Sequence, residues 1–182
     1  MLPTEKSVIT IEESLLQTAR GIPLVVDPVL AATSGKTLAE HKAFDAIKKR
    51  LLPRANLNTP NLDETQALIG RRPESAFELK DAARELARKF KTCFLLKGGH
   101  LIGNELTDVL AWPSGKTQCF ASRRIPGVNT HGSGCTLSAA IAANLALGQS
   151  LTKAVSMARN YLHRALLNPL KLSGDAFLRH GP

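Results

Sequence analysis

The run from Ile125 to Ala140, Ile-Pro-Gly-Val-Asn-Thr-His-Gly-Ser-Gly-Cys-Thr-Leu-Ser-Ala-Ala, concentrates more chemistry than any other stretch of the chain. A strand-like run ends at Pro126-Gly127, the triplet Gly132-Ser133-Gly134 breaks the pattern, and small apolar residues from Cys135 to Leu147 follow without Pro or Gly. This predicts a glycine loop opening a helix. Glycine lets backbone N–H groups approach an anion, and the N–H groups of a first helical turn carry partial positive charge, so such a loop can cradle a phosphate. Cys135 then falls in that first turn, where a thiolate is favoured and the thiol pKa falls. The same residues also describe an ordinary helix start packed on a sheet, its glycines serving close packing and its cysteine a small hydrophobe. Spacing alone leaves both readings open.

The elements that must position this loop alternate between helical and strand patterns. Residues 7–20 read as an amphipathic helix with Ile11, Leu15 and Thr18–Ala19 on one face, a Thr10 cap, and Glu12 and Glu13 in the first turn, closed by Gly21. Pro23-Leu-Val-Val-Asp-Pro28 is a short apolar run of the parallel-strand type, ending at Asp27. Helical periodicity resumes over 38–52 through Leu38, Phe44, Ile47 and Leu51, and a second short strand, 55–59, precedes Pro60. Asn61 to Gly70 is a short helix, 75–90 a longer one, and Thr92 to Lys97 a third strand leading into Gly98-Gly99-His100. Segments 107–112 and 117–122 flank the turn Pro113-Ser-Gly115 as a hairpin. Helices at about 133–147 and 150–167, separated by Gly148, follow.

Alternation of this kind predicts one α/β domain over residues 1–182, a sandwich with a mostly parallel sheet and a late antiparallel hairpin on its edge. In such sheets ligands bind beyond the carboxyl ends of strands. Those ends are Asp27, Thr59-Pro-Asn61, Lys97-Gly-Gly99 and the 125–135 loop. Their convergence on one edge points to a site more strongly than any single motif.

Composition removes several function classes. At 182 residues and 43% hydrophobic, the chain can bury a real core. No apolar run approaches the roughly 20 residues of a membrane span, and the first residues lack a signal-peptide layout, so a cytoplasmic protein is expected. Cys93, Cys119 and Cys135 have no metal-type spacing and form no even set, which argues against a disulfide framework or a zinc site. The net charge of +9 is spread over short basic clusters such as Lys48-Lys49-Arg50 and Arg71-Arg72, with only 4% aromatics. That describes a solvated basic surface, which also draws in polyphosphates, better than a nucleic-acid interface.

Taken in chain order, Asp27-Pro-Val, Thr59-Pro-Asn-Leu-Asp-Glu64, Leu96-Lys-Gly-Gly-His100 and Asn129-Thr-His-Gly-Ser-Gly-Cys-Thr-Leu-Ser-Ala resemble the hydroxymethylpyrimidine/phosphomethylpyrimidine kinases of thiamine biosynthesis, within the ribokinase-like superfamily. Related sugar kinases, and many pyridoxal kinases, carry Asp where this chain has Cys135. The resemblance implies a ribokinase-like three-layer sandwich and phosphorylation of hydroxymethylpyrimidine and its monophosphate with ATP and magnesium. Gly132, Ser133, Gly134 and Cys135 would form the anion hole for the transferred phosphoryl group, with Cys135 also at the position of the base. Asn61 and Glu64 match the superfamily's Asn-x-x-Glu element, Glu64 acting on magnesium through water, although Asn61 as N-cap with Glu64 at N3 is equally a capping box. Lys97 matches the lysine aimed at the nucleotide phosphates, or is a surface lysine at a strand end; Gly98-Gly99 favours the former, since bulk-free backbone suits close approach to an anion. Asp27 matches the acidic residue near phosphates and metal, or is a turn residue before Pro28. The resemblance also implies that Thr130 lies on the nucleotide side of the loop.

The chain departs from the family at its front. Roughly the first third of the family pattern has no counterpart before Met1, so the first β–α units and most pyrimidine contacts are not represented, and Arg179-His-Gly-Pro182 matches only the start of the family's terminal Gly-His-Gly-Pro stretch. The expected reading is the C-terminal two-thirds of the family fold, binding nucleotide but transferring little phosphate when isolated. Two alternatives stay open: a non-catalytic nucleotide-binding remnant, and a pyridoxal kinase with a Cys-containing loop. Partners are expected to be small molecules rather than nucleic acid or membrane, with self-association as a homodimer through the uncovered sheet edge.

Overall fold

The computed structural model describes residues 2–18, 21–30, 40–99, 101, 105–172 and 175–181. Contacts divide the chain into two compact units, Met1–Ser122 and Arg123–Pro182.

The first unit opens with α1 (Glu5–Thr18). Its start lies upstream of the expected Thr10 cap because Thr4 and Ser7 cap each other: the Ser7 N–H donates to Thr4 Oγ1 and the Thr4 N–H to Ser7 Oγ, both at 3.2 Å. Thr10 is therefore inside the helix, where its carbonyl accepts from the Ser14 hydroxyl. The buried face carries Val8 and Glu12, with Leu15 packed against the core, whereas Ile11 is 42% exposed. Glu12 is thus no first-turn dipole residue; it accepts from Arg50 at 2.7 Å and Arg54 at 3.0 Å, fastening α1 to the segment after α2. Burial of that carboxylate is offset first by the Arg50 hydrogen bond, which holds its pKa down. Ala19, Arg20, Leu38 and His100 lie outside the described residues.

The helix expected over 38–52 is α2 (His41–Ala46) followed by a π-helical turn, Ile47–Leu51, and a 3₁₀ turn, Leu52–Arg54. The buried residues explain the widening. Ala46 and Leu51, and Ile47 and Leu52, are buried pairs five apart, the spacing at which a π turn rather than an α turn aligns side chains. Pro53, which has no N–H to donate, falls at the start of that 3₁₀ turn, where a proline is tolerated.

Three strands run parallel, β1 (Val25–Val26), β2 (Leu57–Asn58) and β3 (Cys93–Lys97), with Val26 opposite Asn58 and Asn58 opposite Phe94. β4 (Glu105–Ala111) pairs antiparallel with β3, and β5 (Thr117–Arg123) closes the order β1-β2-β3-β4-β5. The hairpin is the expected one, turning at Gly115 with φ +88°. α3 (Leu62–Ile69) and α4 (Ala76–Phe90) begin at the side-chain caps Asn61 and Ser75, and Gly70 ends α3 in the left-handed conformation. The core joins Leu79, Leu86, Phe94, Leu96 and Val109, all fully buried, to Val8 and Leu52.

Gly98 follows β3, and a Cβ there would sit 2.0 Å from the Thr107 carbonyl oxygen of β4 and 3.0 Å from Leu79. Its missing side chain is therefore required by the neighbouring strand. Packing thus accounts for Gly98 by itself, whereas a Cβ at Gly99 would meet nothing within 4 Å.

The second unit holds α5 (Ser133–Ala146), α6 (Leu151–Leu167) and an antiparallel hairpin of β6 (Leu170–Leu172) and β7 (Asp175–Phe177) that sequence reading left unassigned. No helix among the described residues is long and apolar enough to cross a membrane.

Candidate functional site

Parallel pairing puts the carboxyl ends of β1, β2 and β3 side by side, and each carries a polar residue: just past the last paired position in β1 and β2, and at the last residue of β3, itself paired with Asp108 of β4. Asp27 follows Val26, Thr59 follows Asn58, and Lys97 ends β3 with its N–H donating to the Pro60 carbonyl at 3.0 Å. The Lys97 ammonium donates to Asp27 Oδ1 at 2.8 Å, and the Thr59 hydroxyl donates to the same oxygen at 3.1 Å. Both charged side chains are only 13% exposed. Lys97 is therefore no freely solvated surface lysine.

The start of α3 supplies the third charged group. Asn61 Oδ1 accepts from the Glu64 N–H at 2.9 Å, and Glu64 Oε2 accepts from the Asn61 N–H at 2.8 Å, a complete capping box. The helix start is buried, so the capping carboxylate is buried with it, at 3% exposure. Burial pushes its pKa up to about 7; Lys97 and the Asn61 N–H pull it down, Asp27 pushes it further up, and the Leu30 N–H pulls it down. Asn61, Glu64, Asp27 and Lys97 thus form one electrostatically linked cluster. The capping box and the phosphate–metal role do not compete, because the cap is what holds the carboxylate there.

A folded-state pKa above the ordinary 4.5 fixes the sign of a pH effect. The folded chain holds this proton more tightly than the unfolded chain, so Glu64's contribution to stability is complete below about pH 4.5 and is lost as pH rises through 7, by on the order of 3 kcal/mol. Glu64→Gln, which keeps an amide oxygen for the cap, should flatten the stability profile over that window. Denaturant unfolding at several pH values measures it, and an unchanged slope in the variant would assign the effect to other groups.

The residues also fit a hard cation. Asp27 and Glu64 present oxygen donors, while no group of three or more His, Cys, Asp or Glu among the described residues could hold an ion unaided. That suits magnesium, which keeps several waters and is held by one or two carboxylates together with substrate phosphates.

In the second unit the loop before α5 is tied down at several points. The Asn129 N–H donates to the Ala176 carbonyl of β7 at 3.0 Å, Asn129 Oδ1 accepts from the His131 N–H at 2.9 Å, and the Thr130 carbonyl accepts from the Ser133 N–H at 3.0 Å. Gly132 is the N-cap at φ +81°, a conformation that costs other residues roughly 1–2 kcal/mol, and it supplies no side-chain cap. Ser133, Gly134 and Cys135 are the first three helical residues, as expected, so the Gly134 and Cys135 N–H groups precede the first intrahelical bond, Thr136 N–H to the Gly132 carbonyl at 2.9 Å. Cys135 is exposed and heads an open groove of about 640 Å³ floored by Ala139, Ala140 and Ala143 of α5 and flanked by Met157 and Tyr161 of α6.

The sequence profile described as phosphomethylpyrimidine kinase matches residues 1–178. The chain belongs to that family. It is 45% identical over 143 residues to the hydroxymethylpyrimidine/phosphomethylpyrimidine kinase of Rhizobium meliloti, covering 78% of this chain and 53% of that protein. Among solved structures it superposes on the phosphomethylpyrimidine kinase of Clostridium difficile with a TM-score of 0.76 and 31% identity, over 91% of this chain and 66% of that one. It also superposes on the Staphylococcus aureus pyridoxal kinase in complex with ADP, with a TM-score of 0.86 and 29% identity, over 100% of this chain and 66% of that one. The fold is the ribokinase-like α/β fold. The chain spans between 20% and 63% of the length of the first curated relatives it matches.

The Thr59 hydroxyl and the Asp27–Lys97 pair escaped sequence reading as partners. The signal was the register: once Val26 faces Asn58, Asp27 and Thr59 are the next residues along, and a hydroxyl beside a carboxylate at adjacent strand ends is set to donate to it.

Proposed function

We propose that the protein transfers the γ-phosphoryl group of ATP to the hydroxymethyl oxygen of hydroxymethylpyrimidine, and to its monophosphate, and that this chain supplies the phosphate-handling residues. The observation that carries the reading is the nearly buried Asp27–Lys97–Glu64 cluster, set at the ends of β1 and β3 and in the first turn of α3, in a chain that matches the family over residues 1–178. Lys97 engages the nucleotide phosphates, while Asp27 and Glu64, set by Asn61, hold the magnesium environment. Bound magnesium supplies neutralisation of charge on the phosphate oxygens. The N–H groups of Gly132, Ser133, Gly134 and Cys135 stabilise the phosphoryl group in transfer, with Thr130 on the nucleotide side. The substrate oxygen attacks phosphorus, the bond to ADP breaks, and the Cys135 thiolate accepts the hydroxyl proton. The same reading makes the protein a cytoplasmic homodimer.

A second reading, pyridoxal as acceptor, draws on the higher structural similarity to pyridoxal kinases, with TM-scores of 0.83 to 0.86. The test incubates the protein at its native length with ATP, magnesium and, separately, hydroxymethylpyrimidine, its monophosphate and pyridoxal, and identifies products by mass spectrometry. Phosphorylated pyrimidine is the expected product. Phosphate on pyridoxal alone would move the assignment to the second reading, and nucleotide binding without product from any acceptor would overturn the catalytic claim.

A further inference from the structure

The second unit carries most of the chain's excess charge. Residues 123–182 contain seven Lys and Arg against a single acidic residue, Asp175, a net +6 of the total +9. Two of these arginines share a cleft. Arg164, in the last turn of α6, and Arg179, in the tail after β7, line a cavity of about 410 Å³ together with Tyr161, Ala165, Asn168 and Gly181. The Arg179 N–H donates to the Ala165 carbonyl at 3.3 Å, which fastens the tail against the last turn of α6. Asn168 is fixed as well, its side-chain N–H donating to the Arg164 carbonyl at 3.2 Å. Among the described residues neither guanidinium has a carboxylate within 4.0 Å, in contrast to Arg50, Arg54, Arg71, Arg72 and Arg84, each of which does.

From this we propose that the Arg164–Arg179 cleft is a binding site for a phosphate dianion. Guanidinium groups present planar forks of donors that match phosphate oxygens two at a time, and here two arginines line one cavity together with Tyr161 and Asn168. The end of α6 opposes the anion with about half a negative charge, which two full positive charges outweigh. The surrounding +6 raises the local concentration of anions before contact. The cleft adjoins the groove headed by Cys135, since Tyr161 and Arg164 line both. The anion can therefore be free phosphate or a phosphate of a nucleotide lying in that groove.

The test is a titration of the ¹⁵N-labelled 182-residue chain, without magnesium, by inorganic phosphate and by ADP in separate experiments followed by amide NMR. Saturable shifts at residues 164–168 and 176–181 with phosphate are expected, weakened at least about tenfold by Arg179→Ala and by Arg164→Ala, and only partly by Arg179→Lys. Shifts with both ligands assign the site to phosphate from either source, and shifts with phosphate alone to the free anion. Both arginines are exposed, so the variants should fold, and their unchanged spectra elsewhere verify it. No saturable shift at these amides, or equal shifts in the double variant, would overturn the proposal. The kinase reading would survive, because it gives Arg164 and Arg179 no role.

Discussion

Replacing Cys135 by alanine is expected to lower turnover by about 10²- to 10⁴-fold while leaving MgATP affinity nearly unchanged. The expectation separates chemistry from folding because of where the residue lies. Cys135 is the third residue of α5 and exposed, so alanine removes a sulfur that fills no core space and inserts the best helix former. The backbone N–H groups of the loop remain. On the proposed mechanism what is lost is a proton acceptor, which acts in the transition state and hardly at all on the bound nucleotide. Steady-state kinetics of the protein at its native length, with MgATP and the pyrimidine alcohol, measures the split. Cys135→Asp should recover part of the rate, since it restores a base at a helix start where negative charge is favoured. Near-normal turnover in Cys135→Ala would reduce the residue to one wall of a groove.

Lys97→Met is expected both to destabilise the chain by roughly 3 kcal/mol and to weaken MgATP binding strongly. With its partner gone, Asp27 keeps a charge in a place only 13% exposed, with Thr59 as its remaining donor and the partly ionised Glu64 close enough to repel it. Lys97 is also the largest of the influences holding the Glu64 pKa down, so that pKa should climb further. Adding Asp27→Asn removes the bare charge and should restore most of the stability, since replacing both members of a buried pair costs far less than removing one. It should not restore nucleotide binding. Denaturant unfolding and calorimetry on the two single variants and the double variant read both quantities, and a double variant that binds MgATP normally would make the pair purely structural.

The parts of this site that were legible in the sequence are those set by local rules. Asn61 and Glu64 three residues apart, with Gly70 after Ile69, specify α3 and its cap without reference to the rest of the fold. Gly132-Ser-Gly-Cys135 ahead of a small-residue run fixes the start of α5 in the same way. What sequence could not deliver depends on contacts between distant segments. Glu12 reads as a helix-start charge until two arginines from the turn after α2 reach it. Lys97 reads as a strand-end lysine until the parallel register brings Asp27, 70 residues away, to 2.8 Å. Gly98 looked like clearance for a ligand, and only the β4 backbone reveals why a side chain is excluded. The π turn at Ile47–Leu51 likewise answers to packing, since the five-residue spacing of its buried residues matters only once a core selects that face.

The central claim is that the Asp27–Lys97–Glu64 cluster handles nucleotide phosphates with magnesium, and calorimetric titration of the 182-residue chain with MgATP tests it most directly. Saturable binding is predicted, accompanied near pH 7 by proton release, detectable as a dependence of the heat on buffer ionisation, because a divalent cation beside Glu64 lowers a pKa that starts at about 7. The release should vanish in Glu64→Gln, and the binding itself should be lost when Lys97→Met is combined with Asp27→Asn. A demonstrably folded chain that gives no saturable heat with MgATP, or that binds it equally well in the double variant, would contradict the account.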